Sequence, residues 1–345
     1  MTILIAYCAA VAVIAAVVTY AVARLRLFLD QPNARSSHKI PVPRSGGVGI
    51  VLATVLGVVV LATLGHPTLF REPAFLGVIA GGVIAAAGGL ADDIRARSFR
   101  FKLAVQVAAA AVGMASGLVV DRLYVPGIGP VDFGLAGPVL TFIWLIGLTN
   151  AYNFMDGIDG LAGSTAVIAA AFLAFAAVAA GAANEATIAC TIAMASLGFL
   201  IFNLPPARIF MGDVGSQFLG FVFASLGVLI ARTDASGTLS LLMPLLLFHF
   251  IFDTVVTAGR RWWQGEKVTQ GHRTHLYQRL AHSGFGHGRT TALLCAVGAA
   301  QGAAALWMVH APVELRPLAF VPALLIQLIY MLAVQRRDMA SSAAE

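Results

Sequence analysis

The chain has 345 residues, of which 59% are hydrophobic and only 11% are charged, and its formal net charge is +6. Apolar runs of about 20 residues, enough to cross roughly 30 Å of hydrocarbon as a helix, recur from end to end, so a soluble globular protein is excluded. The composition predicts an all-α polytopic membrane protein with membrane lipid as a partner. The basic residues are segregated between alternate loops, which argues against a nucleic-acid partner.

The apolar runs predict about eleven transmembrane helices in a single domain, residues 1–345. No basic segment precedes the first run and two arginines follow it, which favours a retained helix over a cleaved signal peptide. Cys8, Cys190 and Cys295 lie inside apolar runs without metal or disulfide spacing, so we expect small buried hydrophobic residues. The predicted spans are 3–23, 47–65, 74–91, 102–120, 137–152, 161–181, 186–203, 215–232, 238–259, 290–310 and 317–334.

Lysine and arginine are distributed unevenly between alternate loops. With the N-terminus outside the cytoplasm, eighteen of the 22 Lys and Arg residues fall on the inner side and four on the outer side. Cytoplasmic loops carry an excess of Lys and Arg, so this distribution predicts an N-out, C-in orientation. The outer four are Arg71, Arg122, Arg232 and Arg316.

Polar residues collect at the predicted inner ends of the spans. Asp92 and Asp93 end span three in the stretch GLADDIRARSFRFK, and Lys102 begins span four. The stretch NAYNFMDGIDGLAG ends span five, Asp213 begins span eight, and a loop rich in His and Arg follows span nine. One shared site at the cytoplasmic face is the simplest interpretation.

The two aspartates that end span three point about 100° apart on a helix of 3.6 residues per turn, so we expect different roles for them. The alternative is a solvated pair at the membrane interface. Asp213 follows Pro205 and Pro206 and precedes an apolar helix, which fits an N-cap. A helix N-terminus also favours phosphate, so the two roles are compatible.

Asn153, Asp156 and Asp159 recur at a spacing of three. If the segment stays helical they form one polar stripe, whereas Gly157 and Gly160 favour a break that would bring backbone close to a ligand. A capped helix junction, with Asp159 as the cap, is the alternative. Hard oxygen ligands at several helix ends suit Mg²⁺ when a substrate diphosphate adds more, so Mg²⁺ is the expected cofactor, with Mn²⁺ as an alternative.

The loop after span nine carries His272, Arg273 and His275. Basic side chains beside a carboxylate-rich site predict an anionic, phosphorylated substrate. A membrane-surface loop attracted to anionic lipid is the alternative, and it accounts for the charge but not for the histidines. Lys39 in the first loop fits a substrate contact and a lipid-surface contact equally.

Four motifs occur in order on these span ends: GLADD, NFMDGIDGLAG, FMGDVGS and HLYQRL. Together, over about residues 30–290, they resemble the polyprenyl-phosphate N-acetylhexosaminyl-1-phosphate transferase superfamily, glycosyltransferase family 4. The superfamily includes enzymes that start O-antigen, enterobacterial common antigen and teichoic acid synthesis, and the phospho-MurNAc-pentapeptide translocase. The resemblance implies a multi-pass enzyme of the bacterial inner membrane with cytoplasmic catalytic loops.

The resemblance assigns a role to each motif residue. Asp213 matches the Mg²⁺-ligand aspartate, Asn153 lies beside the nucleotide and metal, and Lys102 matches a phosphate-binding lysine. The first aspartate of the pair is the candidate for activating the lipid phosphate. The expected catalytic residues are Asp92, Asp93, Lys102, Asp156, Asp159 and His275; the expected substrate-binding residues are Asn153, His272, Arg273 and Lys39; the expected metal ligands are Asp213 and Asn153.

The histidine loop departs from the family pattern. His275 matches the first histidine of the family's His-x-His-His motif, but Tyr277 and Gln278 replace the later two, and His272 stands where many relatives carry an acid. The loop is similar to O-antigen-initiating enzymes that use N-acetylfucosamine or N-acetylquinovosamine nucleotides. It argues against the pentapeptide translocase.

The resemblance therefore implies transfer of a HexNAc-1-phosphate from a UDP-sugar to undecaprenyl phosphate, with release of UMP, to initiate O-antigen or another cell-surface polysaccharide. The expected donor is UDP-FucNAc or UDP-QuiNAc, else UDP-GlcNAc, and transfer is either direct or through an aspartyl-phosphate intermediate. The sequence is compatible with a homodimer. The alternatives are a phospho-MurNAc-pentapeptide transferase and a secondary transporter, which the scarcity of charge at the span centres disfavours.

Overall fold

The computed structural model describes residues 2–26, 28–30, 41–64, 71–125, 127–267 and 272–342. Lys39, a predicted substrate contact, lies outside the described residues. Within them lie thirteen α-helices and two small two-stranded antiparallel sheets.

The helices are α1 Thr2–Leu25, α2 Gly47–Leu64, α3 Pro73–Ile94, α4 Phe99–Ala115, α5 Gly137–Phe154, α6 Leu161–Ala179, α7 Ala183–Asn203, α8 Gly212–Ala231, α9 Leu242–Leu246, α10 Phe248–Trp263, α11 Leu276–Leu280, α12 His287–His310 and α13 Phe320–Ser342. The strands are β1 Leu29–Asp30, β2 Val42–Pro43, β3 Arg122–Val125 and β4 Gly129–Asp132. The apolar, Ala- and Leu-rich composition of the long helices explains both their formation and their burial.

Eight helices in the described chain are long and apolar enough to cross a membrane, and a ninth span is counted if the bent pair α9–α10 crosses as one. The sequence predicts about eleven spans. Each predicted span does contain a helix, but α2 is a shorter apolar helix over Gly47–Thr63, and α4 has 17 residues and begins among charged side chains. The polytopic all-α class is therefore confirmed, whereas the count of eleven and the orientation stay predictions.

α8 is the central helix, because every residue from Val214 to Ala231 is buried inside the protein. It packs against α3 and α5. A Cβ on Gly89 of α3 would lie only 2.3 Å from the backbone oxygen of Asp213, so a glycine is needed where these two helices approach. This contact brings the end of α3 beside the start of α8.

The β3–β4 hairpin lies between the end of α4 and the start of α5, at the opposite end of the bundle from Asp213, and the sequence reading did not anticipate it. A second departure concerns the cysteines. The Sγ atoms of Cys8 in α1 and Cys190 in α7 lie 3.6 Å apart as free thiols, although their sequence positions suggested no pairing.

The span that contains α9 and α10 is bent by 75°. His249, in the first turn of α10, is 2% exposed, and its Nδ1 lies 2.7 Å from Gln301 Oε1 of α12. This buried bond joins α10 to α12 beside the bend. Asp253, one turn further along α10, is thereby held at a fixed place in the bundle.

Candidate active site

The centre of the candidate site is an ammonium group between two carboxylates. Lys102 Nζ, from the first turn of α4, lies 2.8 Å from Asp92 Oδ2 and 2.8 Å from Asp213 Oδ2. Asp92 is near the end of α3 and Asp213 is near the start of α8, so three helix ends meet at one cation. Opposite charges this close in a partly buried site attract strongly.

Asp93 caps α8. Its Oδ1 accepts the backbone N–H of Asp213 at 3.0 Å, and its Oδ2 accepts the N–H of Val214 at 3.3 Å and the Ser45 hydroxyl at 3.0 Å. Gly212 has φ 75°, and a Cβ there would lie 2.4 Å from Asp93 Oδ2, so only glycine admits this approach. The expected N-cap is therefore supplied from another helix, and both oxygens of Asp93 are bonded.

Asn153, in the last turn of α5, orients Asp213. Its amide nitrogen donates to Asp213 Oδ1 at 3.1 Å and to Ser216 Oγ at 2.7 Å. Both contacts are made on α8, so Asn153 joins the end of α5 to the start of α8. The amide oxygen is then the atom of Asn153 that remains for a ligand.

Three amide side chains support this cluster from inside the bundle. Gln217 Nε2 lies 3.5 Å from Asp213 Oδ2, and Gln106 Nε2 lies 3.5 Å from Gln217 Oε1. Gln106 and Asn150 exchange hydrogen bonds of 3.1 and 2.8 Å. The sequence motifs do not include these three residues. Amides within apolar runs are costly to bury unless they are hydrogen-bonded, so their presence there was the available signal of a buried hydrogen-bond network.

Asp156 is a half-buried carboxylate in the turn that follows α5. In the described part of the chain its carboxylate makes no hydrogen bond and no ion pair, while its backbone N–H donates to the Asn153 carbonyl at 3.2 Å. Burial, reinforced by the nearby carboxylates of Asp213 and Asp93, raises the pKa of Asp156 to about 8. A carboxylate in this state is suited to bind a cation or to exchange a proton.

Asp159 follows a break in the helix, as Gly157 and Gly160 favour, because α5 ends at Phe154 and the polar stripe does not form. Its Oδ2 accepts the backbone N–H of Ala207 at 3.1 Å, and its Oδ1 lies 3.3 Å from Nδ1 of His287. The alternative, in which Asp159 caps α6, is wrong, since α6 begins without a side-chain cap. Asp159 thus joins the turn to the segment before α8 and to the start of α12.

His275 is held by Asp253, a carboxylate that the sequence reading missed. His275 Nδ1 lies 3.0 Å from Asp253 Oδ1, and Asp253 is 1% exposed. The same carboxylate accepts the backbone N–H groups of Leu276 and Tyr277, each at 3.0 Å. A lone Asp inside an apolar span is the sequence signal that could have identified it.

The histidine loop packs on the end of α5. The rings of His272 and His275 stack with centroids 4.9 Å apart, and the Phe154 ring lies 6.0 Å from that of His275. The Tyr277 hydroxyl donates to the Phe154 carbonyl at 2.9 Å, and a Cβ on Gly157 would lie 2.1 Å from that hydroxyl. The loop and the aspartate cluster therefore meet at α5, with Tyr277 fully buried between them.

His272 and Arg273 have different surroundings. Burial, with contributions from His275 and the guanidinium of Arg261, lowers the pKa of His272 to about 4, so this imidazole is neutral near pH 7. Arg273 lines a surface cavity of about 570 Å³, together with Arg260, Gln264, Thr274, Arg279, His282, Ser283 and Asp338. The surplus of guanidinium groups makes this cavity suitable for anions.

The donor atoms fit a divalent cation. In the described ranges, no three or more His, Cys, Asp or Glu side chains form a ready metal site. The Lys102 ammonium nevertheless contacts two carboxylates, so the cluster accommodates a cation. The available ligands are hard oxygens, and Mg²⁺ commonly completes its shell with water and substrate phosphate. Asp213, Asn153 and Asp156 are the residues suited to hold it.

Similar proteins were found by sequence. Residues 75–231 match the family model described as glycosyl transferase family 4, a region that includes Asp92, Lys102, Asn153 and Asp213. A probable undecaprenyl-phosphate N-acetylglucosaminyl 1-phosphate transferase of Bacillus subtilis is 28% identical over 272 residues, covering 78% of this chain and 74% of that protein. A decaprenyl-phosphate N-acetylglucosaminephosphotransferase of Mycobacterium tuberculosis is 31% identical over 324 residues, covering 83% and 78%. A phospho-N-acetylmuramoyl-pentapeptide-transferase of Leuconostoc citreum is 28% identical over 255 residues, covering 71% and 79%.

Proposed function

Because the chain belongs to glycosyl transferase family 4, we propose that it transfers an N-acetylhexosamine 1-phosphate from a UDP-sugar to a polyprenyl phosphate and releases UMP. The observation that carries this proposal is the meeting of Asp92, Lys102, Asn153 and Asp213 at the ends of four helices. Undecaprenyl phosphate is the proposed acceptor, since the Bacillus subtilis relative is named for it.

In the proposed reaction, an oxygen of the lipid phosphate forms a bond to the β-phosphorus of the donor. The bond from that phosphorus to the UMP oxygen breaks, and its electron pair leaves with UMP. Asp92 is the proposed base for the acceptor phosphate, and Lys102 contacts the phosphate oxygens on which charge accumulates. Both residues are already in contact with each other in the free protein.

The chain's other residues hold these groups in place. Asp93 fixes the N-terminus of α8, and Asn153 fixes the orientation of the Asp213 carboxylate. We propose Asp213, Asn153 and Asp156 as the residues that hold Mg²⁺, or Mn²⁺ in its place. A bound divalent ion would supply positive charge that neutralises the donor diphosphate.

The donor class we propose is a UDP-N-acetylhexosamine, with Arg273 and His275 as its contacts in the histidine loop. The loop pattern suggests that UDP-FucNAc or UDP-QuiNAc is used better than UDP-GlcNAc. Tyr277 is fully buried and bonded to Phe154, so it does not offer its ring to a sugar, and this preference rests on the loop pattern alone. The named Bacillus and Mycobacterium relatives support UDP-GlcNAc instead.

The proposed location is the bacterial cytoplasmic membrane, N-out and C-in, with the aspartate cluster at the cytoplasmic face. The distribution of Lys and Arg supports this orientation, since 18 of 22 fall on the side of the cluster. There the protein would add the first sugar phosphate of O-antigen or of another cell-surface polysaccharide to its lipid carrier.

The test is a donor panel with the purified protein in detergent. UDP-GlcNAc, UDP-FucNAc, UDP-QuiNAc and UDP-MurNAc-pentapeptide are each incubated with undecaprenyl phosphate and Mg²⁺, and UMP release and lipid mass are measured. We expect UMP and a lipid-diphosphate sugar from at least one HexNAc donor. Turnover of the pentapeptide donor alone would favour the translocase reaction. No UMP from any donor, combined with uptake of an anionic metabolite into proteoliposomes, would favour a transporter.

A further inference from the structure

Asp253 is a nearly fully buried carboxylate in an otherwise apolar part of α10. Burying such a group is costly unless its oxygens are bonded. Four donors meet this requirement: His275 Nδ1, the backbone N–H groups of Leu276 and Tyr277, and the Thr257 hydroxyl, each at 3.0 Å. Three of the four belong to the histidine loop, so the carboxylate is committed to that loop.

The contact with Asp253 determines which nitrogen of His275 carries the hydrogen. Asp253 Oδ1 accepts the N–H of Leu276 and the Thr257 hydroxyl, and His275 Nδ1 lies 3.0 Å from the same oxygen. An ionised carboxylate has no hydrogen to donate, so His275 must be the donor in this contact. Nδ1 must then be the protonated nitrogen, and Nε2, on the far edge of the ring, is the one left for a ligand. The stacked ring of His272 and the nearby ring of Phe154 limit rotation of the imidazole.

We propose that Asp253 is a positioning residue, which holds His275 in the Nδ1–H form so that Nε2 contacts the donor's phosphates. This inference rests on the proposed function. Groups that orient a metal-ligating imidazole in this way are worth about tenfold to hundredfold in affinity or activity. None of the four sequence motifs includes Asp253, which lies between FMGDVGS and HLYQRL.

Four variants test the inference in the transferase assay. Asp253→Asn keeps the shape but presents an amide to His275, and we expect kcat to fall about tenfold to hundredfold with less than about a twofold change in KM for the lipid acceptor. Thr257→Val is the matched control, because it removes another partner of the same carboxylate; we expect activity within about twofold of the parent. In a His275→Ala background, Asp253→Asn should cost no more than about another twofold, because its effect passes through His275. Asp253→Glu, which keeps the acceptors, should retain more activity than Asp253→Asn.

Parent-like activity of Asp253→Asn would overturn the inference. So would a double variant whose loss equals the product of the two single losses, since Asp253 would then act on the fold and not through His275. The tautomer is also measured without any turnover, from ¹⁵N spectra of labelled histidine with His275 assigned by its loss in His275→Ala. Hydrogen on Nε2 in the parent overturns the inference whether or not the protein is a transferase. A parent that never releases UMP, but shows the Nδ1–H form, counts against the proposed function alone.

Discussion

Replacing Asp213 with Asn separates the chemistry of the cluster from its architecture. The backbone N–H of residue 213 keeps its bond to Asp93, so the start of α8 stays capped in the variant. What is lost is the charge that faces Lys102 at 2.8 Å, together with an acceptor for Asn153 at 3.1 Å. An amide at position 213 has only one oxygen to accept from Lys102 and Asn153. Its NH₂ group would therefore face one of these two donors without forming a hydrogen bond.

We expect Asp213→Asn to lower kcat at least about 100-fold, because one charge contact to the reacting groups is worth roughly 3 kcal/mol. The yield of monodisperse protein should stay near that of the parent. The assay is UMP release over a titration to saturating Mg²⁺. Asp132→Asn is the matched control, since Asp132 is an exposed carboxylate paired with Arg122 in the hairpin at the other end, and it should change activity by less than about twofold. Near-normal turnover of Asp213→Asn at saturating Mg²⁺ would show that Asp213 has only a structural role.

Three further predictions follow from the same geometry. Asp93 accepts from two N–H groups of α8 and from the Ser45 hydroxyl, and Asp93→Asn leaves at least one of these donors facing an amide NH₂. The variant should therefore lower the free energy of unfolding in detergent by about 1–2 kcal/mol, and an unchanged denaturation midpoint would contradict the capping role. Asp156→Asn should lower turnover more than Asp159→Asn, because Asp156 is beside the cluster while Asp159 binds Ala207 and His287; the reverse order of kcat values would exclude Asp156 from the site. Single cysteines at Ser98 and Gln264, in a background without native cysteines, should resist an impermeant thiol reagent in intact cells, and labelling of both from outside would reverse the orientation.

The sequence was sufficient to identify the helices and the helix ends that form the site. Apolar length predicts helices directly, and the motif residues Asp92, Lys102, Asn153 and Asp213 do converge. The exact number of membrane spans is harder to predict, because α2 is short and α4 is short and begins among charged side chains.

Contacts made across the bundle could not be predicted from local sequence. Asp93 caps a helix 119 residues further along the chain, where α8 begins at Gly212, and nothing in the GLADD stretch reveals this. Asp253 was hidden inside an apolar span because its partners lie in a loop that follows it. Asp159 would share a stripe with Asp156 only in a continuous helix; the glycines indicated a break there, but not that Asp159 would contact Ala207 and His287.

The charge balance of the cluster explains why a cation belongs to the proposed reaction. Asp92 and Asp213 share the Lys102 ammonium, Asp93 is bonded to the start of α8, and Asp156 adds a fourth carboxyl whose pKa is raised to about 8 by burial and by Asp213 and Asp93. A donor diphosphate that enters this site brings its negative charge close to the carboxylates. Repulsion between like charges within a few ångströms opposes its binding. The Lys102 ammonium is already shared between two carboxylates, so it cannot offset the diphosphate alone. We therefore expect added positive charge to favour donor binding, and this is our proposed reason that hard oxygen ligands and Lys102 occur at the same helix ends.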